Sequence, residues 1–373
     1  MRKEGNKVNK VQEKIVITGA FSINCYGNSM NNLIQNLEND KKDGLKVHHW
    51  VSGERNIPIC GYKCNDTWVD SQLEGVPTRS MDRFSKLNVA AMKLAVEEAG
   101  IKDDLENTGY IMNTTFGPWE STNQYTIDLV NSGPQNASPR LFPNTVLNSA
   151  QGQVAKYFNL KGVSSTITGV PSLLYAYSLI KKGVADRIIV AGAEELNENL
   201  IEAYKELGSQ VIHGEGVGIL IIESEKSANQ RNANILAEIV DYEMAHDSGL
   251  KRWFEDADPK GDTLKYILSK LESRRSPDSY DDLKCIISGF NGSINIKQAE
   301  EIAFKEIYKG RLCNELKILS PKKYLGETFG ASCIFNVIIA IGILKNNGEE
   351  SVIVNHELGG NQVAIRIRKV AMQ

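Results

Sequence analysis

The sequence predicts an α/β fold in which helices cover a central sheet. Helical and strand patterns alternate along the 373 residues, as they do in layered α/β proteins. In residues 173–191 and again in residues 333–354, an apolar helix pattern is followed by a turn and then by a strand pattern. This recurrence indicates two related halves, although the same succession also occurs in unrelated α/β proteins.

Each predicted element rests on the spacing of its apolar residues. Residues 15–19 and 110–112 form short apolar runs typical of buried strands, and residues 85–99 carry apolar side chains at helical spacing. Residues 247–282 are instead rich in charged and turn-forming residues, with one amphipathic helix pattern at 263–271. We interpret that segment as a surface excursion and assign it no chemistry.

The two halves meet where a new strand pattern opens near residue 237. For a chain of this length, the prior is two or three domain-sized units or one large duplicated core. The recurring helix-turn-strand unit favours the duplicated core. We therefore predict a charged N-terminal extension at residues 1–14, a first half at residues 15–235 and a second half at residues 236–373.

The composition is that of an ordinary globular protein, with 41% hydrophobic and 24% charged residues. The formal net charge of −3 shows no excess of basic residues, so we do not expect nucleic-acid binding. The longest apolar run, at residues 333–344, is interrupted by Asn336 and is shorter than the roughly 20 residues of a membrane span. We predict that it is a buried core helix and that the protein does not cross a membrane.

The expected compartment is the cytoplasm. The first fourteen residues are charged and contain no apolar stretch, so a secretory signal is not expected. The six cysteines are scattered, as is usual in a reducing compartment. Cys60 and Cys64 lie close together, but no second Cys/His pair follows to complete a metal site. We predict no metal.

Several motifs occur in an order and spacing that resemble one known family. They are Val-Ile-Thr-Gly (16–19), Arg-Ser-Met-Asp-Arg-Phe (79–84), Ser-Pro-Arg-Leu-Phe-Pro-Asn-Thr (138–145), Ala-Gly-Ala-Glu (191–194), Gly-Glu-Gly-Val-Gly (214–218) and Leu-Gly-Glu-Thr-Phe-Gly-Ala (325–331). Together they resemble the β-ketoacyl-acyl carrier protein synthases, condensing enzymes of the thiolase superfamily. The resemblance implies the thiolase fold, a duplicated five-layered α-β-α-β-α core.

The resemblance also implies a cysteine nucleophile at a helix N-terminus, where the helix dipole lowers the thiol pKa. That position falls on Pro171, with Val170 as the neighbouring option, and neither residue has a nucleophilic atom. Ser172 carries a hydroxyl, but serine requires a general base. The segment at residues 171–183 is shorter than in the family, so either this helix is truncated or a piece is absent from the sequence.

Two histidines complete the family's catalytic set, and neither is found at its position. Gly289 falls on the first, and Glu327 replaces the second, where an anion would repel a developing oxyanion. Asn291 either donates a hydrogen bond there or shapes the glycine-rich turn. Lys322 matches the family's lysine, and we favour a structural Lys322–Glu327 ion pair over a proton-transfer role for Glu327.

By the same resemblance, several side chains would line an acyl tunnel or its dimer interface. The tunnel candidates are Phe116, Trp119, Phe142, Phe290, Asn291, His356 and Leu358. Leu358 stands where the family's gating loop has phenylalanine, and His356 is the histidine expected to face the pocket. The other histidines, among them His213, have surface-like or turn surroundings in the sequence, and we expect them to be structural.

The resemblance leaves two main functional hypotheses, with a pure scaffold that binds carrier proteins as a third option. The preferred one is a catalytically silent subunit, similar to the chain-length factors of type II polyketide synthases, that pairs with an active ketosynthase and shapes its acyl tunnel. The alternative is a homodimeric acyltransferase or condensing enzyme that uses Glu327 as a general base. In either case no cofactor is expected, because the acyl carrier protein brings its own phosphopantetheine arm. Lys251-Arg252 and Arg274-Arg275 either attract that acidic carrier or form a solvated polar face, which we favour.

Overall fold

The computed structural model describes residues 13–370, apart from residues 29, 53–54, 102–104, 251–256, 277–280 and 313–315. The first half contains strands β1 (Ile15–Ile23), β2 (Leu45–Ser52), β3 (Arg55–Tyr62), β4 (Gly109–Asn113), β5 (Ser164–Ile167), β6 (Arg187–Glu194), β7 (His213–Gly214) and β8 (Gly216–Ser224). Its helices are α1 (Met30–Glu38), α2 (Asp66–Gln72), α3 (Arg83–Glu98), α4 (Trp119–Ser132), α5 (Ser149–Tyr157), α6 (Ser172–Lys181), α7 (Glu198–Glu206) and α8 (Glu225–Gln230).

The second half has fewer elements in the part of the chain that is described. Its strands are β9 (Ala237–His246), β10 (Leu283–Ile287), β11 (Lys317–Leu319), β12 (Glu350–His356) and β13 (Asn361–Lys369). Its helices are α9 (Asp262–Ser273), α10 (Ile294–Ile307), α11 (Lys322–Leu325) and α12 (Ser332–Ile343). The patterns predicted at residues 15–19, 85–99, 110–112 and 263–271 all fall on elements of the predicted type, which differ from the prediction mainly at their ends.

The main sheet is built from two similar sets of strands. Its order is β11-β10-β12-β13-β9-β1-β8-β6-β4-β5, so each half contributes five strands in the same order when counted from its own edge. Among the described residues, the two sets pair at β1 and β9, where Val16 lies opposite Glu238 and Ile17 opposite Ala237. The predicted α/β fold is confirmed. A separate three-stranded sheet, β2-β3-β7, lies outside the main one.

The buried side chains show five layers. One cluster joins α6 and α12 to the inner faces of both sets of strands. A second cluster packs α3 and α5 on the outer face of the first set, and a third packs α9 and α10 on that of the second. Because α12 is apolar on every side and lies in the middle layer, it is buried over its whole length up to Ile341. The apolar run at residues 333–344 is thus a core helix, as predicted.

No helix among the described residues has the length and apolar character that crossing a membrane requires.

Candidate functional site

The positions that the resemblance predicts to be catalytic are brought together where the two central helices begin. Helix α6 starts directly after Pro171, and α12 starts five residues after Glu327. Asn291, on the loop after β10, donates a hydrogen bond to Glu327 at 2.9 Å. Asn361, at the start of β13, donates to the carbonyl of Gly169 at 2.7 Å. These contacts connect the loops that carry positions 171, 289, 327 and 356–361.

Glu327 is a buried carboxylate with 4% of its surface exposed, and both of its oxygens accept hydrogen bonds. It accepts hydrogen bonds from Nζ of Lys322 at 2.7 Å, from Asn291, from the backbone N–H of Phe329 at 2.8 Å and from Oγ of Ser332 at 2.8 Å. Burial alone would raise the pKa of Glu327, but Lys322 and the other donors outweigh it and lower the pKa. The predicted Lys322–Glu327 ion pair is confirmed, and it holds Glu327 as an anion.

The position predicted for the nucleophile contains no reactive group. Pro171 is buried ahead of α6, where the missing N–H of proline costs little, and Val170 beside it is half-buried. The Ser172 hydroxyl is fully buried and donates to the carbonyl of Ala191 at 2.8 Å. Its proton is therefore committed to the backbone rather than to a base. Cys333, at the start of α12, is in the core, where burial raises the pKa of its thiol well above the ordinary value.

Gly289 and His356 occupy the same region. A β-carbon at position 289 would lie 2.6 Å from Cδ2 of His356, so a larger residue there would collide with the imidazole. The backbone N–H of Gly289 and Nε2 of His356 both contact Oε1 of Glu300, at 2.8 and 3.1 Å. His356 is the buried last residue of β12 rather than a loop residue. An imidazole thus lies beside the family's first histidine position but comes from another strand.

Glu357 adds a second buried carboxyl group beside Lys322. Asn355 donates to it at 2.7 Å, and burial, only partly offset by Lys322, raises the pKa of Glu357 to about 7. Sequence reasoning missed this residue because it lies within a loop assigned to gating. The site therefore combines one lysine with two carboxyl groups, of which Glu327 is ionised.

Replacing Glu357 with glutamine is expected to flatten the pH dependence of stability between about pH 4.5 and pH 7. In the folded state its pKa is raised to about 7, so the folded protein keeps a proton that the unfolded chain releases. The free energy of unfolding then falls with rising pH by up to about 1.4 kcal/mol per pH unit from this group alone. Urea unfolding at several pH values measures this slope. The exposed Glu74→Gln variant is the control and should keep it; an unchanged slope in Glu357→Gln would contradict the assignment.

The predicted tunnel residues do not form one cluster. Phe116 packs edge-on against Phe329 at 5.0 Å and against Trp119 at 6.2 Å between ring centroids. Glu194 holds this loop by accepting the backbone N–H groups of Thr115, Phe116 and Gly117. Asn291 and His356 belong to the region around Glu327 and Gly289. Leu358 lies beside Gly169, Phe290 lies beside Lys323, and Phe142 is 55% exposed beside Tyr125.

His213 is a second feature that sequence reasoning missed. The expectation of surface-like or turn surroundings is wrong for this residue, because it is 3% exposed and lies between Phe329 and Tyr204. Residues 212–214 pair with the backbone of Glu327, which donates to the carbonyl of Ile212 at 2.8 Å and accepts from Gly214 at 3.0 Å. The only sign of this burial in the sequence is that His213 follows the apolar residues Val211 and Ile212 directly before the Gly-Glu-Gly turn.

Two clefts in the described part of the chain could receive a ligand or a partner. One has a volume of about 410 Å³, with Tyr204, residues 207–211 and residues 292–295 as its walls. The other, of about 550 Å³, carries Arg79, Arg140 and Lys156 together with Met81 and Tyr157. The second cleft is thus cationic with an apolar part.

The other basic residues singled out in the sequence do not form a comparable surface. Arg274 is paired with Asp241 at 2.5 Å and with Glu243 at 2.8 Å. Arg275 is buried and paired with Glu272 and Glu350. Lys251 and Arg252 lie outside the described residues.

Half of the exposed large apolar side chains of the described residues lie between α4 and α6, the part of the chain that also contains strand β5, an edge of the main sheet. We call this region the β5 face. It comprises β5, Ile127, Leu129 and Val130 of α4, Phe142, Val146, Leu147, Tyr157 of α5 and Tyr175 of α6. Val130 is 77% exposed and Phe142 55%. Exposed apolar surface and an open strand edge are both characteristic of protein–protein interfaces.

Comparison with known proteins gives consistent matches. A family model for the beta-ketoacyl synthase N-terminal domain matches residues 12–228. The chain is 28% identical over 265 residues to 3-oxoacyl-(acyl-carrier-protein) synthase 2 of Staphylococcus aureus strain COL, covering 63% of this chain and 64% of that protein. The chain therefore spans less than two thirds of that relative. Identity to the protein of the same name in Rhizobium meliloti strain 1021 is 24% over 310 residues, covering 74% and 72%.

Solved structures match over nearly the whole chain. The ishigamide ketosynthase/chain length factor aligns with a TM-score of 0.79 at 18% identity, over 97% of this chain and 100% of that chain. A type II PKS acyl-carrier protein in complex with its ketosynthase aligns with a TM-score of 0.79 at 16% identity, over 96% and 100%. A beta-ketoacyl synthase from Burkholderia phymatum aligns with a TM-score of 0.74 at 18% identity, over 96% and 100%. At these identities the matches establish the fold.

Proposed function

The chain belongs to the β-ketoacyl synthase family, and we propose that within this family it is a catalytically silent subunit that pairs with an active ketosynthase. The proposal depends on which residues stand at the positions predicted to be catalytic. Pro171 stands at the nucleophile position, and Glu327 is an anion held by Lys322 and three further donors. Neither group can accept an acyl chain or stabilise an oxyanion.

The charge of the site argues in the same direction. A decarboxylating condensation requires donors aimed at the oxygen where negative charge develops. Here the ammonium group of Lys322 is 2.7 Å from Glu327 and also faces Glu357, so its charge is already compensated. A malonyl-type substrate would bring a further carboxylate next to these two. The site is therefore unsuited to the family's chemistry.

The β5 face supports pairing with a second chain. Within this face, Tyr125 of α4 packs against Phe142 at 5.6 Å, and Gln151 of α5 accepts a hydrogen bond from Thr166 of β5 at 2.8 Å. The ishigamide ketosynthase/chain length factor and the ketosynthase complexed with an acyl-carrier protein have this fold. By analogy, we assign an active ketosynthase as the partner of this face.

In this arrangement the subunit contributes walls to the acyl tunnel rather than catalytic groups. Phe116 and Trp119 lie on a loop fixed by Glu194, and Phe142 projects from the β5 face. A rigid loop with large rings limits the volume open to a growing chain. Phe142, being exposed, is the residue that would reach into the partner.

The cationic cleft is the best candidate surface for the acyl carrier protein. Arg79 and Arg140 are both exposed there, and Arg140 donates to the backbone carbonyl of Arg79. Opposite charges steer association, so an acidic carrier would be drawn to this cleft. The phosphopantetheine arm would arrive with the carrier, and the chain itself would need no cofactor.

Co-expression with an intact Cys-His-His ketosynthase tests the proposal. We expect a one-to-one complex by mass determination, with condensation that disappears when the cysteine of the partner is replaced by alanine. Phe142→Ala in the complex should shift the products to longer chains, while Ile302→Ala, an exposed apolar residue of α10, should leave them unchanged.

The competing result is equally specific. A homodimer that ignores the ketosynthase and decarboxylates a malonyl thioester, with the activity lost in Glu327→Ala, would overturn the silent-subunit proposal. It would establish instead a condensing enzyme with non-standard residues.

A further inference from the structure

We propose that a third cleft, beside the starts of α3 and α4, binds a small zwitterion in which a short chain separates an ammonium group from a carboxylate. The cleft has a volume of about 480 Å³ and borders the cationic cleft, with which it shares Arg79 and Arg140. The inference does not depend on pairing with a ketosynthase, because it rests on the charges of this cleft alone.

The walls of the cleft carry both signs of charge. Glu120 and Asp128 are eight residues apart on α4 and so lie on one side of that helix, and Asp82 caps the start of α3. Arg79 and Arg140 also line the cleft, and Arg140 donates to the backbone carbonyl of Arg79. Among the described residues, neither arginine forms an ion pair with these carboxylates. Both signs are therefore open to a ligand.

Arg83, the third arginine of the cleft, does not cancel the acidic wall. Its guanidinium group is paired with the buried carboxylate of Glu215 at 2.5 Å and with Asp66 at 2.8 Å. Its charge is therefore already compensated from outside the cleft. The carboxylates of Glu120 and Asp128 keep their negative charge.

A buried carboxyl group lies behind the acidic wall. Glu195 is 4% exposed; its Oε1 accepts the backbone N–H of Glu120 at 2.8 Å, whereas its Oε2 has no hydrogen-bond partner among the described residues. Burial raises the pKa of Glu195 well above its ordinary value, and the carboxylates of Asp82 and Glu120 add to this, while the N–H of Glu120 and the charge of Arg83 oppose it. An ammonium group in the cleft would supply a positive charge beside this carboxyl group.

The rest of the lining suits a short polar ligand. Ser121, Gln124 and Asn144 contribute hydroxyl and amide groups, and Met81 and Leu141 are the apolar members. The carboxyl groups are not arranged as metal ligands, because the described residues include no group of three or more His, Cys, Asp or Glu side chains that could hold a metal ion. An ammonium group makes no demand for a fixed coordination geometry, so it fits this wall better than a metal ion does.

Isothermal titration calorimetry of the full chain with a series of ω-amino acids tests the inference. Glycine, β-alanine, 4-aminobutyrate and 6-aminohexanoate differ in the distance between their two charges, and we expect one length to bind best. Butyrate and butylamine, which each lack one of the charges, should bind at least about 10-fold more weakly than that compound. The same loss is expected in Arg140→Met and Glu120→Gln. The exposed Arg274→Met and Glu206→Gln variants, away from the cleft, are the matched controls and should bind as the wild type does.

The pH dependence of binding reports on Glu195. An ammonium group favours the ionised form of this carboxyl group, so binding should strengthen as the pH rises from about 5 to about 8 and should release a proton. Glu195→Gln should bind more weakly at the upper pH and lose this dependence. The two arms of the experiment are thus independent, one for the walls and one for the group behind them.

Three results would overturn the inference. They are the absence of binding by any member of the series, equal affinity for the zwitterion and for a compound with one charge, and wild-type affinity in both Arg140→Met and Glu120→Gln. Both residues are exposed, so their variants should fold. Since no ketosynthase is present, failure to pair with one would be seen in a separate experiment and would not alter this result.

Discussion

Replacing Lys322 with methionine is expected to lower the free energy of unfolding by about 3–5 kcal/mol at neutral pH, because it leaves the Glu327 carboxylate buried without its counter-ion. The two side chains are 2% and 6% exposed and 2.7 Å apart, so water cannot replace the lost partner. Methionine has a similar length and adds no polar group. Urea unfolding followed by circular dichroism measures the effect.

The pH dependence of this loss can be derived from the direction of the Glu327 pKa. In the wild type the pKa of Glu327 is lowered below its ordinary value, so its contribution to stability is present above that value and is lost as the pH falls. Without Lys322, burial is opposed only by weaker donors, and the carboxyl group takes up a proton more readily. The deficit of Lys322→Met should therefore shrink between pH 7 and pH 4.

Two further variants separate this effect from a general disturbance of the core. In the double variant Lys322→Met/Glu327→Gln, both charges are absent, and most of the lost stability should return. Lys284→Met, at an exposed lysine of β10, should change stability by less than about 0.5 kcal/mol. A single Lys322→Met variant as stable as the wild type would show that Glu327 is not a buried anion.

Much of the site could be predicted because its motifs are local in sequence. The Lys322–Glu327 pair lies within six residues of chain, and the helix that follows it is a continuous apolar run. The duplicated strand order follows from the recurrence of one helix-turn-strand unit. Local patterns of this kind can be recognised in a single sequence without an alignment.

The missed features depend on contacts between distant residues. The imidazole of His356 fills the region beside Gly289, 67 positions away in the chain, and no spacing rule connects the two. His213 is buried because a two-residue strand pairs with the backbone of Glu327, and a pattern that short carries no periodicity. Both cases show that the contents of this site are determined by packing between segments distant in sequence, within the second half for His356 and between the two halves for His213.

The β5 face yields the second prediction with a large effect. Val130→Asp is expected to weaken the complex with the ketosynthase at least about 100-fold, with condensation lost in proportion. Val130 is 77% exposed in the free chain, so the aspartate is solvated there and the subunit itself should remain folded. Covering it with a partner would bury an unpaired charge, which costs several kcal/mol, and each 1.4 kcal/mol is a tenfold change in affinity.

The matched control is Tyr266→Asp. Tyr266 is also exposed, at 54%, but lies on α9 over the outer face of the second half, away from β5. Both variants should unfold at the same urea concentration as the wild type, so a difference between them reports on the interface and not on stability. If Val130→Asp pairs as tightly as Tyr266→Asp, the β5 face is not where the ketosynthase binds, and an interface elsewhere on the chain must be sought. If only Val130→Asp loses the partner, the open edge of β5 and its apolar surroundings are the surface on which the proposed function depends.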